Sequence, residues 1–343
     1  MIFVTGGTGL VGAHLLFELT SSGKKVKALK RENSNLQQVL KSFSYYTENP
    51  YELYNKIEWV NGDMLDYFQM EEILEGITEI YHCAAIISFR RADHRKMIRN
   101  NVERTSNIVN AAIKNGVKKI CHVSSISALA HSPEGSDVTE TSNWEPSKKV
   151  SGYSKSKFLS EMEIWCGIEE GLDAIIVNPS IILGPTNWET GSARIFKAIW
   201  NRLPFYTRGI TGYVDVKDVV SAMIKLMQPQ VFDKTKNQRY IINAENISFY
   251  ELFAQIARTL EKPAPKYLCT NTILKIACTL ATITSLITRK PPVITPETIA
   301  SSNKINKYDG SKITRMINFQ YTPIVETIKQ TATFLKNDML RLG

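Results

Sequence analysis

Apolar residues in this chain fall into short continuous runs, separated by longer stretches whose apolar positions recur at helical spacing. Ile2, Phe3 and Val4 make the first run. After a glycine-rich turn, Leu10, Leu15, Leu16 and Leu19 predict a helix, and Gly23 is its natural stop. Further strands are predicted at 26–29, 57–60, 81–87, 120–123 and 174–177. Helices are predicted from about 95 to 115, closed by Gly116, and from near Ser151. Apolar runs alternating with helices describe a parallel sheet covered on both faces. Right-handed crossovers make such a sheet doubly wound, so the expected fold class is α/β. Residues 33–56, with Tyr45, Tyr46, Tyr51 and Tyr54, are polar and aromatic. A solvated surface helix and loop is expected there, in preference to a contact with the adenosine end of a cofactor.

Past Gly184 and Pro185 the alternation loosens and proline returns at Pro204, Pro229, Pro263, Pro265, Pro291 and Pro292. The expected division is a nucleotide-binding domain at 1–180, with 212–244 returning to it. Residues 181–211 and 245–343 then form a smaller C-terminal substrate lobe. The apolar run 273–287 is interrupted by Lys275 and several threonines. It reads as a packed helix rather than a membrane span.

Candidate chemistry begins at the first turn, where Gly6, Gly9 and Gly12 are spaced G-x-x-G-x-x-G between a strand and a helix. Glycine lets the backbone approach a pyrophosphate, and the helix start aims N–H groups and its positive dipole end at the anion. Thr8, Leu10 and Val11 share this turn and join the glycines as cofactor-contact candidates. The second strand ends in Lys30-Arg31, where an NAD site usually offers a carboxylate to the ribose. A guanidinium there suits a 2′-phosphate, so NADP(H) is favoured and NAD(H) left open. Asp63 and Met64 follow the third strand, and Asp63 can accept from an adenine amino group. Ala84 and Ala85 follow the fourth strand, where small side chains let the backbone touch the cofactor.

Tyr153 and Lys157 stand at i and i+4 of one predicted helix and share a face. An ammonium beside a phenol favours the phenolate and lowers its pKa from about 10 toward neutrality. A phenol so tuned can exchange a proton with a substrate oxygen. Ser124 and Ser125 close the fifth strand, at the edge where open α/β sheets hold ligands. Ser125 is the candidate to hold that oxygen, and Ser124 the weaker one.

The chain has 343 residues, a formal net charge of +9, five cysteines and five histidines. Its basic residues are scattered rather than clustered among aromatics, so no nucleic-acid surface is expected. The cysteines are odd in number and far apart, which reads as free thiols in a reducing compartment. The histidines lack metal-ligand spacing; His82 and His122 read as core residues and no metal is expected. With the first strand beginning at residue 2 and no signal peptide ahead of it, a cytoplasmic protein is expected.

These motifs together resemble the extended short-chain dehydrogenase/reductases, in the group of dihydroflavonol reductase and 3β-hydroxysteroid dehydrogenase-like proteins. The resemblance rests on TGGTGLVG, NGDMLD, HCAA, the N-N-V-x-x-T pattern from Asn100 to Thr105, HVSSIS, YSKSKFLSE, NPSIILGP and VDVKDV. Arg289 to Pro292, Ser311-Lys312 and Tyr321-Thr322-Pro323 extend it over nearly the whole length. It implies a Rossmann-type fold and a catalytic trio of Ser125, Tyr153 and Lys157, with Lys157 also on the nicotinamide ribose. It further implies Asp63 at adenine, Ala84 and Ala85 along the cofactor, Asn101 supporting the site backbone, and Asn178, Pro179 and Ser180 near the nicotinamide.

The implied activity is NAD(P)-dependent interconversion of a carbonyl and an alcohol on a small molecule. The alternatives are a sugar-nucleotide epimerase or dehydratase and a non-catalytic NADP-sensing protein; the sensor has no need of the trio. Homodimerisation is left open. Sugar-nucleotide relatives tend to carry an arginine where this chain has Thr211, and the lobe holds Ile195, Phe196, Ile199, Trp200, Leu203, Phe205 and Tyr206. A mid-sized, largely apolar substrate is therefore expected, although Arg194, Arg202 or Arg208 could supply a clamp.

Overall fold

The computed structural model describes residues 1–129, 136–142, 144, 150–270 and 302–342. Along these residues the strands are β1 (Ile2–Thr5), β2 (Val26–Lys30), β3 (Ile57–Asn61), β4 (Glu79–His82), β5 (Lys119–Val123), β6 (Ala174–Pro179), β7 (Ile181–Leu183), β8 (Phe205–Tyr206), β9 (Ile210–Asp215), β10 (Gln238–Ile242), β11 (Glu245–Ser248) and β12 (Tyr267–Leu268). The helices are α1 (Leu10–Ser21), α2 (Gln37–Phe43), α3 (Pro50–Tyr54), α4 (Tyr67–Ile73), α5 (His94–Lys114), α6 (Gly152–Glu169), α7 (Ala193–Trp200), α8 (Val216–Leu226), α9 (Pro229–Thr235), α10 (Phe249–Thr259), α11 (Ser311–Ile317) and α12 (Ile324–Leu342).

A seven-stranded, all-parallel sheet in the order β10-β6-β5-β4-β1-β2-β3 forms the centre. Alternation along each strand sends neighbouring side chains to opposite cores. Val4, Cys121 and Ile175 join Leu15, Leu16 and Phe43 under α1 and α2. Phe3, Ile120 and Ile176 join Met70, Ile108 and Ile164 under α4, α5 and α6. The sheet is thus a Rossmann-like α/β layer buried on both faces. Strand order reverses at β1 and β4, and ligands of such sheets bind at the carboxyl ends beside that switch. The helix after the glycine turn ends as its sequence predicts. Gly23, at φ +70°, donates to the Thr20 carbonyl, and Lys24 to that of Leu19, satisfying the last turn.

A three-stranded sheet, β11-β9-β7, packs with α7, α10 and α12 around Leu183, Phe196, Tyr213, Leu252 and Ile328. Here the expectation for 212–244 needs correction. β10 does return to the main sheet as the edge beside β6, but β9 does not. It pairs with β7 and β11, because the position beside β6 is filled by β10 over five residue pairs. Of that segment, α8 comes back and packs against α1.

Residues 39–46 of the stretch 33–56 also depart from expectation, while 48–52 are exposed or half-buried at the surface. Val39 and Phe43 are fully buried, and the Tyr45 and Tyr46 rings lie 4.9 and 5.9 Å from Phe334 of α12. The Tyr45 hydroxyl donates to Asp338 at 2.7 Å, as does Trp188 Nε1 at 2.8 Å. Tyrosine has an apolar body and a polar tip, so these rings clasp α12 instead of facing water. The predicted helix at 273–287 and the residues Arg289 to Pro292 lie outside the described residues. Among the described residues no helix is long and apolar enough to cross a membrane.

Candidate active site

The glycine turn is built for a close approach. Gly6 has φ +70°, and a Cβ there would lie 2.7 Å from the Ala84 amide nitrogen. A Cβ on Gly12 would lie 2.2 Å from the Gly6 carbonyl oxygen. Side chains of Asp66, Ser151, Asp215 and Ser248 cap the starts of α4, α6, α8 and α10. α1 starts at Gly9 with no side-chain cap, which leaves its first N–H groups for an anion. Gly9 is exposed and Thr8, Leu10 and Val11 are half-buried around it. These residues fit a dinucleotide, and Ala84 meets Gly6 across the β1–β4 switch, with exposed Ala85 beyond it.

At the far end of this crevice, Lys30 is half-buried and Arg31 exposed where β2 ends. Asp63 stays exposed; its Oδ1 accepts from the Leu65 amide at 3.1 Å and lies 3.8 Å from Arg104 Nη2. Arg104 has no counterpart among the sequence candidates. Burial and the nearby charge of Arg31 lower its pKa, against the pull of Asp63. Its position on α5, three residues after Asn101, was the available signal. Neighbouring Met64 uses its carbonyl to accept from Asn107.

Ser125 and Tyr153 come together. Ser125 stands just past β5, its hydroxyl accepting from the Ser127 amide at 3.1 Å and lowering the Tyr153 pKa against burial. The Tyr153 ring rests against Phe89 at 5.6 Å. Lys157, one turn along α6, is buried and donates to the Val123 carbonyl at 2.9 Å. Burial pushes Lys157 down to about 8, opposed by the nearby Cys83 sulfur and the charge of Glu161. Tyr153 corrects an expectation: burial raises its pKa above the ordinary value, and Ser125, rather than Lys157, holds it down.

Supporting residues are satisfied through the backbone. Asn101 donates to Ile86 O at 2.9 Å and to Ser156 Oγ at 2.8 Å, and accepts from the Ile86 amide at 2.8 Å. It thereby fixes the turn after Ala84 and Ala85. Asn178 donates to the Ser125 carbonyl at 3.1 Å, while its own Oδ1 is buried without a partner among the described residues. Pro179 ends β6, and Ser180 turns away to bond Ile242 O at 3.3 Å. His82 bonds Thr5 at 2.7 Å and Thr105 at 3.1 Å, and its ring lies tilted against His122 at 5.1 Å. Both are core residues, as expected. Phe196 and Ile199, counted among the apolar lobe residues, are fully buried core.

Residues 2–242 match the NAD dependent epimerase/dehydratase family. A protein of Synechocystis sp., provisionally assigned as a dihydroflavonol 4-reductase, is 29% identical over 98% of this chain and 94% of its own length. Sterol demethylase protein B of Methylococcus capsulatus is 27% identical over 77% of this chain and 75% of its own. The crystal structure of gox2253 superposes with a TM-score of 0.79 at 26% identity, covering 98% of both chains. The chain belongs to the NAD dependent epimerase/dehydratase family. Within it, the chain is an NAD(P)-dependent oxidoreductase.

Proposed function

We propose that this enzyme interconverts a carbonyl and an alcohol on a mid-sized, largely apolar substrate, through Ser125, Tyr153 and Lys157, with NADP(H) preferred. The observation that carries the reading is the buried Lys157 ammonium on the Val123 carbonyl, two residues before Ser125 and one helical turn from Tyr153. A bound nicotinamide supplies or accepts the hydride. Gly6 to Gly12 seat the pyrophosphate, and Arg31 meets the 2′-phosphate. The Ser125 hydroxyl donates to the substrate oxygen and aligns it with Tyr153. In reduction Tyr153 gives that oxygen its proton; in oxidation the phenolate takes it back. Ser125 favours the phenolate against burial, and Lys157 holds a buried cation one turn along α6 from Tyr153. The sterol name of the Methylococcus relative supports an apolar substrate, as does Thr211 in place of an arginine clamp.

The test is a panel of aryl, aliphatic and steroid-like ketones with NADPH, followed by cofactor absorbance, beside thermal-shift titration with UDP- and dTDP-sugars. Net cofactor oxidation with an apolar ketone is expected. A thermal shift with a sugar nucleotide that Arg208→Ala abolishes, and no ketone turnover, would move the assignment to an epimerase.

A further inference from the structure

Glu161 is a carboxylate 2% exposed on the inner side of α6, one turn beyond Lys157. Its Oε2 accepts from the Ser124 hydroxyl at 2.6 Å and from Asn178 Nδ2 at 2.8 Å. Its Oε1 accepts from Arg239 Nη1 and from Trp165 Nε1, each at 3.3 Å. Asn178 Nδ2 also holds the Ser125 carbonyl, and the Ser124 amide is tied to Val177 O at 2.8 Å. One carboxylate therefore grips the strand end on both sides of the Ser125 α-carbon. Arg239, on β10, balances the charge and spends its other donors on the carbonyls of Glu140 at 2.6 Å and Ser142 at 3.4 Å. All four partners donate to Glu161, so a glutamine turns its NH₂ either against Arg239 and Trp165, which cannot accept, or against Ser124 and Asn178 Nδ2, of which only the hydroxyl can.

We propose that Glu161, neutralised by Arg239, is a positioning residue that holds the Ser124-Ser125 strand end so that the Ser125 hydroxyl stays on Tyr153. This rests on the Ser125–Tyr153–Lys157 reading of the site. The same carboxylate acts on Lys157 by charge. Around Lys157 stand Tyr153 and Glu161 on α6, His82 and Cys83 at the end of β4, and His122 on β5; Arg239 and Glu140 lie beyond Glu161. Burial keeps both histidines neutral and the Cys83 thiol protonated. Removing the Glu161 charge therefore makes Lys157 give up its proton at lower pH.

The experiment uses Glu161→Gln in the full chain. Hydrogen exchange of the free protein is expected to speed up across residues 124–129 and to stay unchanged across Gly6 to Gly12. With the ketone turned over in the panel, kcat is expected to fall about 100-fold, the size of a small misalignment. The alkaline limb of the kcat profile moves to lower pH, which a purely structural role would not produce. Tyr153→Phe runs in parallel. If that variant is inactive while Glu161→Gln keeps the wild-type kcat, exchange pattern and pH limb, this inference is overturned alone. If Tyr153→Phe keeps full rate, the site reading falls and this inference with it. Where Glu161→Gln does not fold, Ser124→Ala decides: a lowered kcat with faster exchange at 124–129 supports the proposal, and unchanged values overturn it.

Discussion

The ammonium of Lys157 donates to the carbonyl of Val123 at 2.9 Å, two residues before Ser125. This bond fixes the cation under the strand end that carries the serine, within a buried setting that lowers its pKa to about 8. A group that titrates there is mostly charged at neutral pH and loses its charge above about pH 8, so the site's activity depends on it directly.

Carbonyl reduction needs a protonated Tyr153 and a charged Lys157. Its rate is expected to hold below about pH 8 and to fall above it as Lys157 loses its proton. Alcohol oxidation needs the phenolate, which burial disfavours, so its rate is expected to rise only above the ordinary range of tyrosine, beyond the Lys157 window. Lys157→Ala removes the break and lowers cofactor affinity as well. Profiles of kcat/KM in both directions check this, and a flat reduction profile through that window would speak against it.

Gly12→Ala and Gly23→Ala separate the cradle from ordinary stability. At Gly12 the new methyl meets the Gly6 carbonyl oxygen at 2.2 Å, and backbone must move. Overpacking costs about 1–3 kcal/mol. Borne by the bound state, that is about five- to 150-fold in cofactor Kd. At Gly23 φ is +70° but nothing lies within 4 Å, so alanine there costs about 1 kcal/mol of stability and no affinity. Fluorescence titration beside thermal melts distinguishes the two. Equal cofactor Kd values would contradict the assignment.

Arg31→Ala is expected to weaken NADPH binding and leave NADH binding unchanged, because only the phosphorylated ribose needs the guanidinium. Tighter NADH binding in the native chain, unaltered by the substitution, would reverse the cofactor preference.

Three buried histidines predict acid lability. Burial lowers His14 to about 4, His82 to about 3 and His122 well below its ordinary range. Between those values and about 6.5 the unfolded chain binds more protons than the folded one. Stability therefore rises with pH across that window and is lost as pH falls through it, by up to about 1.4 kcal/mol per pH unit for each histidine. Neither ring nitrogen of His122 has a partner among the described residues. His122→Leu removes the titration without breaking a hydrogen bond, so it should flatten the slope. Urea unfolding midpoints at several pH values test this; a variant as acid-labile as the parent would contradict it.

The central sheet was legible because its strands are continuous apolar runs, and the glycine turn because its spacing states a backbone requirement. Tyr153 and Lys157 stood out as an i, i+4 pair in company with the glycine turn and the serine pair at a strand end. What was hidden depended on partners remote in sequence. Tyr45 reads as a surface aromatic until Asp338 and Trp188 come to its hydroxyl. β9 reads as a main-sheet strand because its apolar pattern does not name its neighbour. Arg104 and Glu161 lie three and four residues beyond chosen candidates on the same helices, but their meaning comes from Asp63 and Arg239 across the fold. The raised pKa of Tyr153 was hidden too, because burial is a property of the packed site.

The most direct test of the site is Tyr153→Phe, which deletes one oxygen and leaves ring, helix and crevice in place. Cofactor affinity by fluorescence titration should match the native chain, while steady-state turnover of the ketone should fall about 10²–10⁴-fold. A Tyr153→Phe enzyme that binds cofactor and turns over ketone at the native rate would contradict the account.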